Sequence, residues 1–180
     1  MSRQALIDHL RAHALRTDGP YKLRSGATSD WYLDARQTTF NGEGAGIVAE
    51  AVLEVLDPEV EATGGMTMGA DPIAVAVALL AHTRGRELNA FSVRKTAKTH
   101  GMGGRLVGPV TSGMAVAILE DTTTTGGAAL DAAESANAAG LRIIQAIALV
   151  DRSGGRAAEG FDALSINYTA LVLPSDLGVE

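Results

Sequence analysis

The stretch Ala115-Val-Ala-Ile-Leu-Glu-Asp-Thr-Thr-Thr-Thr-Gly-Gly-Ala-Ala-Leu130 decides the fold class of this chain. Its first part is an uninterrupted apolar run, which is typical of a strand buried on both faces. The run ends at Glu120 and Asp121, and a Thr/Gly turn then leads into a helix predicted from about Gly126 to Ala139. A buried strand that passes through a short turn into a helix is the repeating unit of α/β folds.

Outward from this stretch, short apolar runs alternate with segments of helical periodicity. Strands are predicted over 31–35, 60–63, 88–93, 114–119, 141–150 and 168–173, and helices over 3–15, 44–56, 73–84 and 126–139. Nearly continuous apolar strands alternating with helices indicate an α/β fold with a mostly parallel central sheet flanked by helices. Because the chain has no internal repeat, low-complexity stretch or linker, we expect a single domain over 1–180.

Composition excludes several classes of protein. The 180 residues carry a formal net charge of −6 and only one Trp, three Tyr and three Phe, which argues against nucleic acid as a partner. The chain has no cysteine, so disulfides, thiolate catalysis and Cys-based zinc sites are excluded. The start of the chain has no signal-peptide core, and the most apolar stretch, 73–81, is too short to span a bilayer. We therefore expect a cytoplasmic protein with no membrane partner.

The acidic pair and the turn after it suit two ends of one ligand. Ligands of open α/β sheets bind at the carboxyl ends of strands. The turn offers hydroxyl groups and free backbone N–H groups at the positive end of a helix, which suits a phosphate monoester. Glu120 and Asp121 suit sugar hydroxyls or a hydrated magnesium ion. The alternative is a strand-to-helix turn that the threonines merely cap.

Two common phosphate-binding motifs are absent from the chain. No Gly-Lys dipeptide occurs, which excludes a P-loop, and Gly42-Glu-Gly44-Ala-Gly46 is spaced GxGxG rather than GxGxxG. P-loop nucleotide hydrolysis and Rossmann-type hydride transfer therefore lose their main support.

A second segment concentrates positive charge. Six Lys or Arg residues and one acid lie between 84 and 105, at positions 84, 86, 94, 95, 98 and 105, in an otherwise acidic chain. Residues 94–113 contain several glycines and no persistent pattern, so we expect a long mobile loop there. Such a loop can close over a small polyanion and exclude water. A solvated charged surface is the alternative.

The two segments together resemble a known family. EDTTTTGG at 120–127 resembles the phosphoribosyl-pyrophosphate (PRPP) motif of type I phosphoribosyltransferases. RKTAKTHGMGGRLVG at 94–108 resembles the catalytic loop of the orotate phosphoribosyltransferase family, with its pattern Arg-Lys-x-x-Lys-x-His-Gly-x-Gly-Gly. The segment 21–34 is similar to that family's N-terminal orotate-side segment, and 149–152 to its strand-end arginine.

The resemblance implies transfer of the 5-phosphoribosyl group of PRPP to orotate, which gives orotidine 5′-phosphate and pyrophosphate. It implies a type I phosphoribosyltransferase fold in which residues 1–40 form a small N-terminal hood over the base site. It also implies a mobile catalytic loop over 94–109 and a homodimer in which each loop is shared across the interface. The cofactor implied is Mg²⁺, held mainly by PRPP rather than by side chains.

The resemblance also implies a role for individual residues. Those that would bind PRPP are Arg94, Lys95, Lys98, His100, Glu120, Asp121, Thr122, Thr123, Thr124, Thr125, Gly126, Gly127 and Ala128. Within this set, Lys98 and Asp121 would be catalytic, the acidic pair would hold the ribose hydroxyls, and the turn would take the 5′-phosphate. Those that would face orotate are Arg24, Thr124 and Arg152.

Two departures and two alternatives accompany the resemblance. Many relatives have a lysine where this chain has Met66-Thr-Met68-Gly69, and Asp-Asp where it has Glu120-Asp121. The missing lysine leaves one pyrophosphate contact open, or leaves it to backbone N–H groups. The alternatives are a phosphoribosyltransferase for uracil, adenine or hypoxanthine and a non-catalytic PRPP sensor that regulates transcription. Trp31 is predicted to pack in the core rather than to stack on a base.

Overall fold

A computed structural model describes residues 2–22, 26, 28–98 and 104–180, without the side chain of Lys98. Its strands are β1 (Leu15–Arg16), β2 (Tyr21–Lys22), β3 (Thr28–Ser29), β4 (Tyr32–Leu33), β5 (Ala62–Met66), β6 (Asn89–Lys98), β7 (Gly104–Val107), β8 (Ala115–Thr123), β9 (Arg142–Asp151) and β10 (Asn167–Val172). Its helices are α1 (Ser2–His9), continued by a π-helical turn over Leu10–Ala14, then α2 (Arg36–Thr39), α3 (Gly42–Val55), α4 (Ala70–Thr83), α5 (Gly127–Ala138), α6 (Arg156–Asp162) and α7 (Pro174–Leu177). In this described part of the chain, no helix combines the length and the apolar character needed to cross a membrane.

The central sheet has six strands in the order β10-β9-β8-β5-β6-β7. All neighbours pair in parallel except β6 and β7, which confirms the expected mostly parallel sheet flanked by helices. After β5 the chain moves to one side of the sheet and returns at β8 on the other side of β5. The carboxyl ends of β5 and β8 therefore border the crevice where ligands of such sheets bind.

Apolar side chains form a core on each face of the sheet. On one face, α1, α3 and α4 bury a cluster that includes Ile73 and Val77 of α4, four residues apart on one side of the helix. On the other face, α5 buries Ala129, Ala132 and Ala136 against β5 and β8. Because these side chains are small, α5 lies close to the sheet and its N-terminus is held at the crevice.

The expectation of an irregular loop over 94–113 is wrong for two parts of it. Residues 94–98 continue β6, and 104–107 form β7, which pairs antiparallel with β6 at Ser92↔Val107 and Lys98↔Gly104. Backbone hydrogen bonds between the two strands stabilise a polar sequence that apolar periodicity does not detect. Residues 99–103 lie outside the described part, and the mobility of 94–109 stays a prediction.

The strand before the acidic pair is longer than expected. It continues through Thr123, and Thr122 pairs with Val150 while Thr123 pairs with Asp151 of β9. Glu120, Asp121 and the first two threonines therefore belong to the strand, and only 124–126 form the turn. Threonine is β-branched and favours strands, which accounts for the extension. The short helices α2, α6 and α7 were not predicted from the sequence.

Candidate active site

The carboxyl ends of β5 and β8 meet in a close contact between Gly69 and Asp121. A Cβ atom at Gly69 would lie 2.7 Å from Asp121 Oδ1, closer than non-bonded atoms approach. Gly69 precedes α4 with ordinary helical angles, φ −65° and ψ −44°, so its backbone conformation does not require glycine. A side chain at this position would therefore displace the Asp121 carboxylate.

The two carboxyl groups of the acidic pair differ in burial and in hydrogen bonding. Glu120 Oε2 is buried and has no hydrogen-bond partner among the described residues. Burial, followed by the adjacent charge of Asp121, raises the pKa of Glu120 to about 8. Asp121 Oδ1 accepts a hydrogen bond from the Thr122 backbone N–H at 2.7 Å. Burial therefore favours the neutral form of Glu120, in which the carboxyl group can donate a hydrogen bond.

The turn after β8 forms a small cavity at the N-terminus of α5. The cavity measures about 110 Å³ and is lined by Glu120 and residues 122–129. Gly126 adopts φ +84°, a conformation that favours glycine, and no side chain caps the helix. The Gly127 N–H makes only a long contact of 3.3 Å with Thr125 Oγ1. The cavity thus faces backbone N–H groups at the positive end of a helix, as anion sites do.

The four threonines differ in exposure. Thr124 and Thr125 are exposed on the turn, Thr122 is half-buried, and Thr123 is only 2% exposed. Thr123 Oγ1 has no hydrogen-bond partner in the described structure, although its residue lines the cavity. The exposed hydroxyls of the turn are therefore those most accessible to a ligand from solvent.

Three of the six cations between 84 and 105 stabilise the fold. Arg84 forms an ion pair with Glu50 on the surface. Arg86 donates hydrogen bonds to backbone carbonyls at 57 and 60 at the foot of β5. Arg105 forms a bidentate ion pair with Asp131 of α5, with Nη1–Oδ1 at 2.6 Å and Nη2–Oδ2 at 2.8 Å. This ion pair joins β7 to α5. The pattern of charge in the sequence does not predict these contacts.

The remaining cations lie at the end of β6. Arg94 is half-buried and Lys95 is exposed. The positive charge of Lys95 lowers the pKa of Glu120, against the larger raising effect of burial. For Lys98 the structure describes only the backbone, and His100 and Arg24 lie outside the described residues.

Arg152 lies at the end of β9, next to the turn. Its backbone N–H donates a 2.7 Å hydrogen bond to the Thr123 carbonyl, which ties β9 to β8 at the site. Its Cζ atom lies 3.9 Å from the ring centroid of Trp31. Trp31 is 7% exposed, and its Nε1 donates to the Glu180 carbonyl at 2.7 Å. The prediction that Trp31 packs in the core is confirmed, and its contact with Arg152 is new.

Two further residues at this edge were missed by the sequence reasoning. Gly69 was noted only within a departure from the family pattern, and its contact with Asp121 needs the three-dimensional structure. Arg36 forms an ion pair with Asp34 at 2.7 Å, and the charge of Asp121 also contributes to raising the pKa of Arg36. An arginine directly after the Trp31-to-Ala35 segment was the only available signal.

Comparison with known proteins shows the family. No protein-family model matches the chain. It is 38% identical over 179 residues to the orotate phosphoribosyltransferase of Streptomyces coelicolor, covering 99% of this chain and 98% of that protein. Two crystal structures of Mycobacterium tuberculosis orotate phosphoribosyltransferase are similar to this chain. Each match covers 99% of this chain and 100% of the other chain. The complex with Fe(III) dicitrate has a TM-score of 0.88 at 34% identity, and the complex with PRPP 0.83 at 29%. This chain therefore belongs to the orotate phosphoribosyltransferase family and has the type I phosphoribosyltransferase fold.

Proposed function

We propose that the crevice between β5 and β8 is where this chain binds PRPP and joins its phosphoribosyl group to orotate. The activity is that of the family: orotate and PRPP give orotidine 5′-phosphate and pyrophosphate, EC 2.4.2.10, in pyrimidine biosynthesis. The proposed location of the PRPP site rests on one observation. Glu120 of the acidic pair and the uncapped N-terminus of α5 line the same cavity, and Asp121 is the next residue of β8. A phosphate and a vicinal diol within one ligand match these two features.

The 5′-phosphate of PRPP would bind the turn. Backbone N–H groups at Gly127 and Ala128, together with the exposed Thr124 and Thr125 hydroxyls, offer donors to phosphate oxygens. Gly126, in its left-handed conformation, would let the turn bring these donors around the phosphate. We include Thr122 and Thr123 in the PRPP site as the ends of the strand that support the turn.

The ribose hydroxyls would bind Glu120 and Asp121. A neutral Glu120 can donate to one hydroxyl, and the Asp121 carboxylate can accept from the other. The buried, unpartnered Oε2 of Glu120 would gain a hydrogen bond, which favours binding because an unsatisfied buried polar atom is costly. Asp121 would also stabilise the positive charge that develops on the ribose as its bond to pyrophosphate breaks.

The donor set at the crevice fits a metal only together with PRPP. Two adjacent carboxyl groups are present, and Glu120 has an unpartnered buried oxygen. Among the described residues, no three His, Asp or Glu side chains are grouped as a metal site. We therefore propose that Mg²⁺ binds with PRPP, whose oxygens supply most ligands, with Asp121 nearby. When bound, the ion neutralises negative charge on the pyrophosphate oxygens.

Pyrophosphate would be held by the cations of the 94–109 segment. We assign Arg94, Lys95, Lys98 and His100 to this role, with Lys98 nearest the departing oxygen as charge partner or proton donor. The support is that the positive charge of Lys95, on β6, lowers the pKa of Glu120. Where relatives carry a lysine after β5, this chain has Met68 and Gly69, and free N–H groups at the start of α4 would take its place.

Orotate would bind between the turn and the N-terminal segment. We assign Arg152, Thr124 and Arg24 to its recognition, since a guanidinium can pair with the orotate carboxylate through two hydrogen bonds. Residues 1–40, with their two small sheets, would form the hood over the base. A guanidinium aimed at a carboxylate also argues against uracil, adenine and hypoxanthine, which lack one.

An absorbance assay tests the substrate assignment. Purified protein with Mg²⁺, PRPP and orotate should consume orotate, and replacing orotate with uracil, adenine or hypoxanthine should give no product. Consumption of uracil in place of orotate would contradict the assignment of Arg152. PRPP binding with no turnover of any base would favour the sensor alternative.

We also propose a homodimer in which each 94–109 segment serves the partner's site, and a cytoplasmic location, since a polyanion such as PRPP does not cross a bilayer unaided. Exposed apolar side chains on α4, Val75 and Leu79, support a subunit contact. Mixing inactive Lys98→Ala chains with inactive Asp121→Asn chains should restore about a quarter of wild-type activity, because half of the dimers then contain one intact site. No recovery on mixing would contradict the shared loop.

A further inference from the structure

The contact between Arg152 and Trp31 has the geometry of a cation–π interaction. The guanidinium carbon lies 3.9 Å from the ring centroid, and tryptophan gives the strongest such contacts among the aromatic residues. Among the described residues, no carboxylate forms an ion pair with Arg152. Burial lowers the pKa of Arg152, so the half-buried cation gains from an electron-rich partner.

Both members of the pair are fixed from outside the contact. The indole is nearly buried, and its N–H is bonded to the Glu180 carbonyl. The Ser29 hydroxyl donates to the Trp31 carbonyl at 2.8 Å. The Arg152 backbone N–H donates a hydrogen bond to the Thr123 carbonyl, next to the turn at 124–126. The backbone of Arg152 is therefore fixed by a hydrogen bond, and its guanidinium is in contact with the indole ring.

An aromatic partner holds the cation without neutralising it. A contact through the ring face uses none of the five N–H donors of a guanidinium, whereas a carboxylate partner would occupy two of them. The donors and the charge of Arg152 remain available for a carboxylate that arrives with the substrate. A tryptophan in this position is suited to orienting a substrate-binding arginine.

We propose that Trp31 is a positioning residue, whose indole holds the Arg152 guanidinium in the orientation that binds the orotate carboxylate. This inference rests on the role that Arg152 has in the proposed function. It adds that orotate affinity depends on a residue of the N-terminal segment that need not touch orotate.

Steady-state kinetics of Trp31 and Arg152 variants test the inference. Trp31→Leu should raise KM for orotate about 3- to 30-fold, the range of a partly desolvated cation–π contact, and change KM for PRPP by less than about twofold. Trp31→Phe keeps a weaker ring face and should fall between wild type and Trp31→Leu. In an Arg152→Met background, Trp31→Leu should add little further loss, because its effect acts through Arg152.

The kinetic results distinguish failure of the Trp31 inference from failure of the proposed role of Arg152. If Arg152→Met raises KM for orotate but Trp31→Leu does not, the inference is wrong and the role of Arg152 stands. An equal loss from Trp31→Leu with and without Arg152 also overturns the inference. If Arg152→Met leaves KM for orotate unchanged, the proposed role of Arg152 is wrong and the inference falls with it.

Fluorescence supplies a readout that needs neither catalysis nor a Trp31 variant. Trp31 is the one tryptophan of the chain, so indole emission reports on this ring alone. Arg152→Met should change the intensity or wavelength of that emission in the ligand-free protein, because the charge over the ring is lost. Arg142→Met, at the opposite end of β9, is the matched control and should leave the emission unchanged. Identical emission from Arg152→Met and wild type would contradict the contact.

Discussion

Replacing Gly69 with alanine tests whether the position of Asp121 matters for PRPP. The new Cβ would lie 2.7 Å from Asp121 Oδ1 and 2.9 Å from its Cγ, so the carboxylate must retreat by about 0.8 Å to reach an ordinary contact of about 3.5 Å. That movement stretches the 2.7 Å hydrogen bond from the Thr122 N–H. Displacement of a reacting group by nearly an ångström costs roughly 10- to 100-fold in rate.

We therefore expect Gly69→Ala to lower kcat/KM for PRPP roughly 10- to 100-fold. The free energy of unfolding should change by less than about 1 kcal/mol, because φ of −65° suits alanine and a short side chain can rotate away. The assay is orotate absorbance at varied PRPP, with thermal unfolding measured on the same samples.

Gly46→Ala is the matched control for that variant. Gly46 lies in α3, and a Cβ there would meet no atom within 4 Å. The control should keep wild-type kinetics and gain up to about 1 kcal/mol of stability from the higher helix propensity of alanine. If Gly69→Ala matches wild type in kcat/KM for PRPP, the position of Asp121 does not limit catalysis and the reasoning fails.

Three further variants test other parts of the site. Lys98→Ala should lower kcat roughly 10²-fold or more, as expected for the loss of a charge contact to the leaving group, and an unchanged kcat would remove Lys98 from that role. Glu120→Gln should alter the pH dependence of stability. The pKa of Glu120 in the folded state is raised from 4.5 to about 8. Its protonated form therefore contributes stability that is fully present below about pH 4.5 and is lost as the pH rises through 8. The free energy of unfolding, measured with denaturant, should therefore decrease between these pH values more in the wild type than in Glu120→Gln. Parallel plots of this free energy against pH would contradict a protonated Glu120. Arg105→Met should lower Tm by about 2–4 °C, as about 1 kcal/mol does in a chain of this size, since the pair with Asp131 is partly exposed. An unchanged Tm would show that this ion pair adds nothing.

The order of the parallel strands and of the longer helices was predictable because burial leaves a clear pattern in the sequence. The run Ala115–Leu119 is buried on both faces, and α4 has apolar residues at helical spacing, so both patterns indicated the correct element. The antiparallel strand β7 was not predictable in this way. Its side chains are exposed or half-buried, and it is stabilised by pairing with β6 and by the ion pair of Arg105.

Local sequence indicated a candidate site, but it did not indicate the contacts between distant segments. Glu120, Asp121 and the turn after them are consecutive, so local sequence indicated one site. The contacts of Gly69 with Asp121 and of Trp31 with Arg152 join segments far apart in the chain, and only the topology of the sheet brings them together. The expected roles of Arg24, His100 and the Lys98 side chain stay predictions, because the structure does not describe them.

A crystal structure with PRPP and Mg²⁺ tests most directly whether one crevice binds both ends of the sugar phosphate. We expect the 5′-phosphate oxygens within hydrogen-bond distance of the backbone N–H groups at Gly127 and Ala128, and the ribose hydroxyls on Glu120 and Asp121. A 5′-phosphate bound away from the N-terminus of α5, or a ribose that touches neither carboxyl group, would contradict the proposed site.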